Sequence, residues 1–427
     1  MNRAAAPLMQ TRRRRWLVAL ALVAGLAGCA TPGEERQRAA REAAEAEAEA
    51  RAKAEAEARV TREAEARAKR QAEQRRREAQ DQARRDAEFR QQSVTNLEKL
   101  LPPGLADRAG WARDIQAALV RNGVPNTIDN ACAIVAIIEQ ESSFRADPSV
   151  PNLPRLAWAE IERQREQRGI PRNLLDSALN LKSADGRTYR QRIDAVRTER
   201  ELSDVYVDFI GVVPFGNQFL AGRNPVRTGG PMQVSIAFAE TRAGESPYAG
   251  PVNGTVRDQV FTRPAGLYFG TAHLLSYAAP YDRMIYRFAD YNAGRFASRN
   301  AAFQLALSQA SGMTLQLDGD LLLGDGRDPA PSATEQAARG LSGRLGVTEA
   351  EIRRDLAEGN GEAFERSRLY SAVFALVQAT TGATLPKAVV PQIDLKSPKF
   401  TRSFTTAQFA TRVDARHRGC LERAKKG

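Results

Sequence analysis

Two glutamates close an apolar helical segment. In Thr127-Ile-Asp-Asn-Ala-Cys-Ala-Ile-Val-Ala-Ile-Ile-Glu-Gln-Glu-Ser-Ser-Phe144 a capping threonine opens the helix, and Glu139 and Glu141 stand near its end. At about 100° per residue, Glu141 projects within roughly 60° of Ile134, Ile137 and Ile138, whereas Glu139 points nearly the opposite way. A carboxyl on the apolar stripe is partly desolvated, and a helix C-terminus is electronegative; both disfavour the charged form. Such a group can hold a proton near neutral pH and act as a general acid. The helix alone fits equally a glutamate that only caps its end beside a salt bridge. Other catalytic material is scarce. With two histidines, His273 and His417, neither a histidine-rich metal site nor a His-based triad has the residues it needs, and no metal or cofactor is expected.

Two further segments bear on Glu141. Gly229-Gly-Pro-Met-Gln-Val-Ser-Ile-Ala-Phe-Ala239 is a tight glycine turn leading into a helix, and Ala289-Asp-Tyr-Asn-Ala-Gly294 is a polar cluster ending the helix that carries Tyr286 and Phe288. Together with Glu141-Ser-Ser-Phe144 they resemble, in order, the three motifs of the lytic transglycosylase family: Glu-Ser-x-Phe, Gly-Leu-Met-Gln and Ala-Tyr-Asn-Ala-Gly. The stretch Gly266-Leu-Tyr-Phe-Gly-Thr-Ala-His-Leu-Leu-Ser-Tyr277 also resembles that family's helix before the Tyr-Asn motif. The resemblance covers about 111–303, and the whole globular part resembles an uncharacterised family of proteobacterial lipoproteins. It implies a lysozyme-like fold and cleavage of peptidoglycan glycan strands by one carboxyl, here Glu141. That carboxyl would protonate the oxygen of the MurNAc–GlcNAc link and then act as base while the muramoyl 6-hydroxyl closes a 1,6-anhydro ring. A second carboxylate nucleophile is then unnecessary, unlike in the usual glycosidases. Tyr291 and Asn292 would orient the acid and the sugar, Gln233 and the Met232 backbone would line the cleft, and Ser142 would support the motif loop. Their plainer readings are a buried tyrosine, a helix-capping asparagine and ordinary packing.

The chain departs from the family pattern in places. Roughly 85 residues separate Phe144 from Gly229 where the family has a couple of dozen, so 145–228 is expected to be a helical insertion beside the cleft. Pro231 replaces the usual Leu, and Asp290 stands where Ala is usual. Asp290 would either strengthen the hold of Glu141 on its proton or pair with Arg295.

These segments need a scaffold, and periodicity supplies a mainly α one. Helical patterns recur at 109–121, 128–140, 156–167, 199–209, 264–277, 333–345, 348–358 and 362–380, while strand-like alternation is scarce. The expected organisation is a lysozyme-like domain over 94–310 with its insertion, then a linker and helical extension over 311–427. Gly and Asp are frequent in 311–332, without the spacing of a calcium loop, which predicts a solvated loop there.

Before the globular part lie two segments of other character. Arg12 to Arg15, an apolar run from Trp16 to Gly25 and the residues Leu26-Ala27-Gly28-Cys29 follow the order of a signal peptide over 1–28. The apolar run is shorter than the roughly 20 residues a permanent span needs. Leu-Ala-Gly-Cys resembles the lipobox of bacterial lipoproteins, which implies that Cys29 is acylated and begins the mature chain at 29–33. With Ala at position 30, the resemblance favours an outer-membrane anchor facing the periplasm. From 34 to 93 the chain is nearly all Ala, Glu, Arg, Gln and Lys, strong helix formers with many i to i+4 ion pairs, but without the apolar seam of a coiled coil. It reads as a lone charged helix, on the order of 90 Å long at 1.5 Å per residue, or as a disordered spacer.

With Cys29 assigned to lipid, Cys132 and Cys420 remain, and an oxidising compartment favours a disulfide between them over two separately buried thiols. The net charge of +12 suits an anionic polymer or membrane headgroups, and export argues against nucleic acid. The leading expectation is an enzyme acting on peptidoglycan; the alternatives are a non-catalytic module that holds glycan or a protein partner in the same cleft, and a spacer between membrane and wall.

Overall fold

The computed structural model of the chain describes residues 32–250, 254–395 and 404–426. The signal segment and Cys29 lie outside the described residues. The chain divides into two units between Asp86 and Ala87.

Helix α1 runs from Pro32 to Leu100 and crosses that division. Its first part follows from composition: Ala, Glu, Arg and Lys have high helix propensity, and Arg51 reaches Glu47 at 2.6 Å and Arg77 reaches Glu73 at 3.1 Å, one turn apart. Such exposed pairs each contribute a few tenths of a kcal/mol at most. Its last turn is different, because Leu97 and Leu100 are buried in the core of the second unit.

The second unit is almost entirely helical. It continues with α2 (Arg108–Arg121), α3 (Ile128–Glu141), α4 (Leu153–Gln167), α5 (Arg172–Leu179), α6 (Tyr189–Ala195), α7 (Glu199–Val212) and α8 (Gly216–Leu220). A short antiparallel hairpin follows, β1 (Thr228–Gly229) with β2 (Val234–Ser235), pairing Thr228 with Ser235 and Gly229 with Val234. Next come α9 (Ile236–Glu245), α10 (Val256–Val260), α11 (Arg263–Leu275), α12 (Met284–Ala293) and α13 (Ala297–Ser311). The C-terminal part holds α14 (Ala333–Gly340), α15 (Ser342–Leu345), α16 (Glu349–Ala357), α17 (Arg368–Thr381), a second hairpin of β3 (Asp394–Leu395) and β4 (Phe404–Thr405), and α18 (Thr406–Lys426).

Three apolar cores hold these elements. The first joins Trp111, Ile115 and Leu119 of α2, Ile134, Ile137 and Ile138 of α3, Leu267 and Leu274 of α11, Phe288 of α12, and Phe409 and Val413 of α18. In the second, residues of the 145–228 insertion (Leu153, Tyr189, Ile193, Leu202) pack with Val234, Ile236, Tyr268 and Phe269. The insertion is therefore continuous with the hairpin and α11. A third core gathers Phe303 and Leu307 of α13 with α14 to α17.

One feature differs in part from the sequence expectation. The 311–332 connection is largely exposed, as expected of a solvated loop, but Leu315, Leu321 and Leu322 are buried in the third core, and Gln304 pins Gly319 by accepting its backbone N–H at 2.9 Å. Three of its five leucines thus tie a largely solvent-facing segment to the core. Helix α3 is buried on every side from Ala131 to Ile138, as its unbroken apolar run requires, and α18 packs against it.

Candidate functional site

Glu141 is the last residue of α3. The Thr127 hydroxyl opens that helix by accepting from the Asn130 N–H at 3.2 Å, and the chain leaves it abruptly, with Ser143 and Phe144 at φ of 51° and 62°. Left-handed conformations cost non-glycine residues about 1 kcal/mol or more each, so neighbours must hold them. Ser142 is buried; its hydroxyl donates to the Ile138 carbonyl at 3.1 Å and accepts from the Arg145 N–H at 3.3 Å. The Phe144 ring meets Trp111 edge-on at 5.3 Å. Glu141 is thus the half-buried terminus of a fixed helix, and Glu139 turns instead to α18, where Arg416 Nε lies 3.9 Å away.

The hairpin supplies the second part. Gly230 takes φ of 74°, and a Cβ there would collide with the Val260 carbonyl oxygen; Gly270 of α11 likewise leaves room for the Met232 sulfur. These two glycines let the β1–β2 turn lie against α10 and α11. The fully buried Met232 side chain then points its backbone carbonyl toward α12. Gln233 sits at φ of 51°, with its amide nitrogen donating to the Gly230 carbonyl at 3.3 Å and its amide oxygen accepting from Thr228 at 3.2 Å. Its side chain braces its own turn.

Helix α12 brings the third part. The Tyr291 hydroxyl donates to the Met232 carbonyl at 2.8 Å. Burial, and after it the charge of Glu141, push this phenol well above its ordinary pKa, so Tyr291 stays protonated beside the glutamate. Glu141, Met232 and Tyr291, from three distant stretches, therefore converge. Asn292 is exposed, and its Oδ1 accepts from the Thr406 hydroxyl of α18 at 2.9 Å. Thr406, itself buried, is a neighbour that no motif indicates; only the proximity of α18 to α3 could have suggested it.

Asp290 takes neither of the places its sequence position allows. It is fully buried and accepts from Tyr281 at 2.7 Å, Tyr277 at 3.0 Å, and the backbone N–H groups of Phe296 at 2.9 Å and Ser298 at 2.7 Å. Burial raises its pKa against the pull of these donors. It anchors the start of α13, where a helix N-terminus favours a carboxylate. Arg295 instead donates to the Ala272 and His273 carbonyls at 2.5 and 3.3 Å, closing the end of α11.

Behind Tyr291 stands His273, another residue the motifs do not single out. Its ring lies 4.9 Å from that of Tyr291 and 4.7 Å from Phe238, and Nε2 faces the Tyr291 carbonyl at 3.3 Å. Facing a carbonyl, Nε2 carries the proton. Burial, then the charge of Arg295, lower its pKa to about 4. Cys132 of α3 and Cys420 of α18 are joined, their Cα atoms 5.5 Å apart, which fastens the C-terminal helix to the helix carrying Glu141. Among the described residues, no three His, Cys, Asp or Glu side chains come together as a metal site would need, and no helix is long and apolar enough to cross a membrane.

Residues 104–423 match the family described as "Protein of unknown function (DUF1615)". The chain is also similar to the uncharacterized protein YaiW of Escherichia coli (strain K12), at 48% identity over 322 residues, which cover 75% of this chain and 87% of that one. No solved structure matches.

Proposed function

The chain belongs to the DUF1615 family, and we propose that it is a peptidoglycan lytic transglycosylase with a lysozyme-like domain, anchored by lipid on Cys29 to the outer membrane and facing the periplasm. Glu141 gives its proton to the oxygen of the MurNAc–GlcNAc link as that bond breaks, and GlcNAc leaves with a free hydroxyl. The resulting carboxylate takes the proton of the muramoyl 6-hydroxyl as that oxygen bonds to C1 and closes the anhydro ring. No water and no second carboxylate enter the reaction.

The observation that carries this reading is the meeting of Tyr291, Met232 and Glu141: the phenol donates to the Met232 carbonyl at 2.8 Å and feels the charge of Glu141. Because the phenol proton is engaged by that carbonyl, its oxygen is left as an acceptor on the side of the acid. Asn292, held by Thr406 through its oxygen, offers its amide N–H groups to the sugar. Ser142 holds the loop and Gln233 braces the hairpin.

The test incubates the mature chain carrying Cys29→Ser, and the same chain with Glu141→Gln, with purified sacculi and weighs the released fragments by mass spectrometry. Products lighter by one water than hydrolytic muropeptides, formed only with Glu141 present, are expected. If both chains bind sacculi and neither releases fragments, the cleft is a glycan-holding module instead.

A further inference from the structure

The insertion ends in an apolar tip that no part of the cleft uses. From Phe209 to Gly222 the sequence has no charged residue, in a chain of which 27% is charged. Within that stretch the side chains of Val212, Phe215 and Phe219 are 48%, 73% and 64% exposed. Single exposed apolar residues are ordinary; three within one turn and its short helix are not.

The backbone presents them deliberately. Phe215 holds a left-handed φ of 61° as it enters α8, and Gly216 is required behind it because a Cβ there would collide with the Ile210 carbonyl oxygen. The Phe219 N–H donates to the Phe215 carbonyl at 3.1 Å, which closes the first turn of α8 onto Phe215. Relaxing Phe215 to a right-handed conformation would remove this outward pose; strain kept in order to expose an aromatic ring is a mark of function.

Cations gather at the base of the tip. The Tyr206 hydroxyl, which donates to the Leu220 carbonyl at 2.8 Å, lies within reach of the charges of Arg168, Arg223 and Arg227. All three arginines are exposed, and among the described residues none makes an ion pair. Arg168 contacts only the Gln164 amide oxygen, and Arg227 the Gly222 carbonyl.

We propose that the α7–α8 tip is a membrane-contact element: Val212, Phe215 and Phe219 enter the interfacial layer of a bilayer, and Arg168, Arg223 and Arg227 meet its anionic headgroups. Aromatic side chains at the acyl boundary with basic residues at headgroup level are the pattern of interfacial binding. A protein partner fits less well, since a stable interface takes about 800 Å² from each side, far more than three side chains at one helix end, a turn and a five-residue helix offer. The proposal uses no residue of the cleft and is independent of the cleavage reading.

The test sediments the mature chain carrying Cys29→Ser with vesicles of phosphatidylethanolamine and phosphatidylglycerol, and with vesicles of phosphatidylcholine alone. Stronger partition onto the anionic vesicles is expected, falling about tenfold or more in Phe215→Ser/Phe219→Ser and losing its preference for anionic lipid in Arg223→Gln/Arg227→Gln. A Phe215→Trp variant, which keeps an aromatic ring at the tip, should retain binding and show blue-shifted emission on the anionic vesicles. No binding by the parent chain, equal binding by the serine variant, or indifference to lipid charge each overturns the proposal, with circular dichroism confirming that the variants fold.

Discussion

At the scale of residues, Asp290 and Glu141 are both acids at the end of a motif helix, yet their neighbours give them opposite work. Four donors surround Asp290, so it is a strut. Glu141 ends its helix beside a phenol whose proton is directed elsewhere. The sequence shows that both are carboxyls, but the donors around Asp290 come from the loop between α11 and α12, the residue before α13 and α13 itself, and no local pattern announces them. His273 illustrates the same point and leads to a prediction. Its folded-state pKa of about 4 lies below the ordinary 6.5. Between those values the unfolded chain binds a proton that the folded chain refuses, so this contribution to stability is complete above pH 6.5 and is lost as pH falls toward 4. The whole difference is worth roughly 3 kcal/mol. Urea unfolding at pH 7 and pH 4.5 should therefore show a loss about 2 kcal/mol smaller in His273→Phe than in the parent chain; parallel losses in the two would mean that the imidazole is not kept neutral.

Among the elements, α18 is the one whose removal reaches furthest. It covers α3 and α12, gives Thr406 to Asn292, and is bonded to α3 through Cys132 and Cys420, which are 288 residues apart in sequence. Closing so long a loop constrains the unfolded chain strongly, and native disulfides are typically worth about 2–5 kcal/mol. Cys132→Ala/Cys420→Ala should lose stability in that range in a denaturant titration, and reductant should lower the midpoint of the parent chain but leave that of the variant unchanged. Equal midpoints for parent and variant would show that the apolar face of α18 holds it alone. The amphipathic stripe of α18, Phe409, Val413, His417 and Cys420, follows a helical period, but two of its four members are His and Cys, and a hydrophobicity pattern passes over them. Helices α2, α3, α7, α11 and α17, whose stripes are aliphatic or aromatic, were legible. So were the three motif segments; which of their atoms meet was not, because the Met232 backbone carbonyl has no sequence signature.

For the whole molecule, the site stands where the cores adjoin: α11 gives Leu267 and Leu274 to the first core and Tyr268 and Phe269 to the second, and α12 runs through Asp290 into α13, which opens the third. Besides the packing of Phe303 and Leu307, a charge ties α13 to the turn after α16. Arg299 is fully buried, and among the described residues no carboxylate pairs with it. Its guanidinium donates to the Gly359 carbonyl at 2.6 Å, the Gly361 carbonyl at 2.8 Å and Asn300 Oδ1 at 3.0 Å, while lying over the rings of Phe296 at 4.3 Å and Phe364 at 5.2 Å. Burial lowers its pKa from the usual value, but a guanidinium stays charged in the physiological range. Three acceptors in one fork and two aromatic faces suit a planar, weakly hydrated cation, and an ammonium can satisfy neither the spacing nor the stacking. Arg299→Lys should therefore be nearly as damaging as removal of the charge, costing about 3 kcal/mol in thermal unfolding, because it leaves buried carbonyls unpaired and a hydrated cation in an apolar pocket. Limited proteolysis should find the new weakness within 311–381, where α14 to α17 depend on that clamp. If lysine restores full stability, the tie is one of charge alone and the fork geometry is incidental.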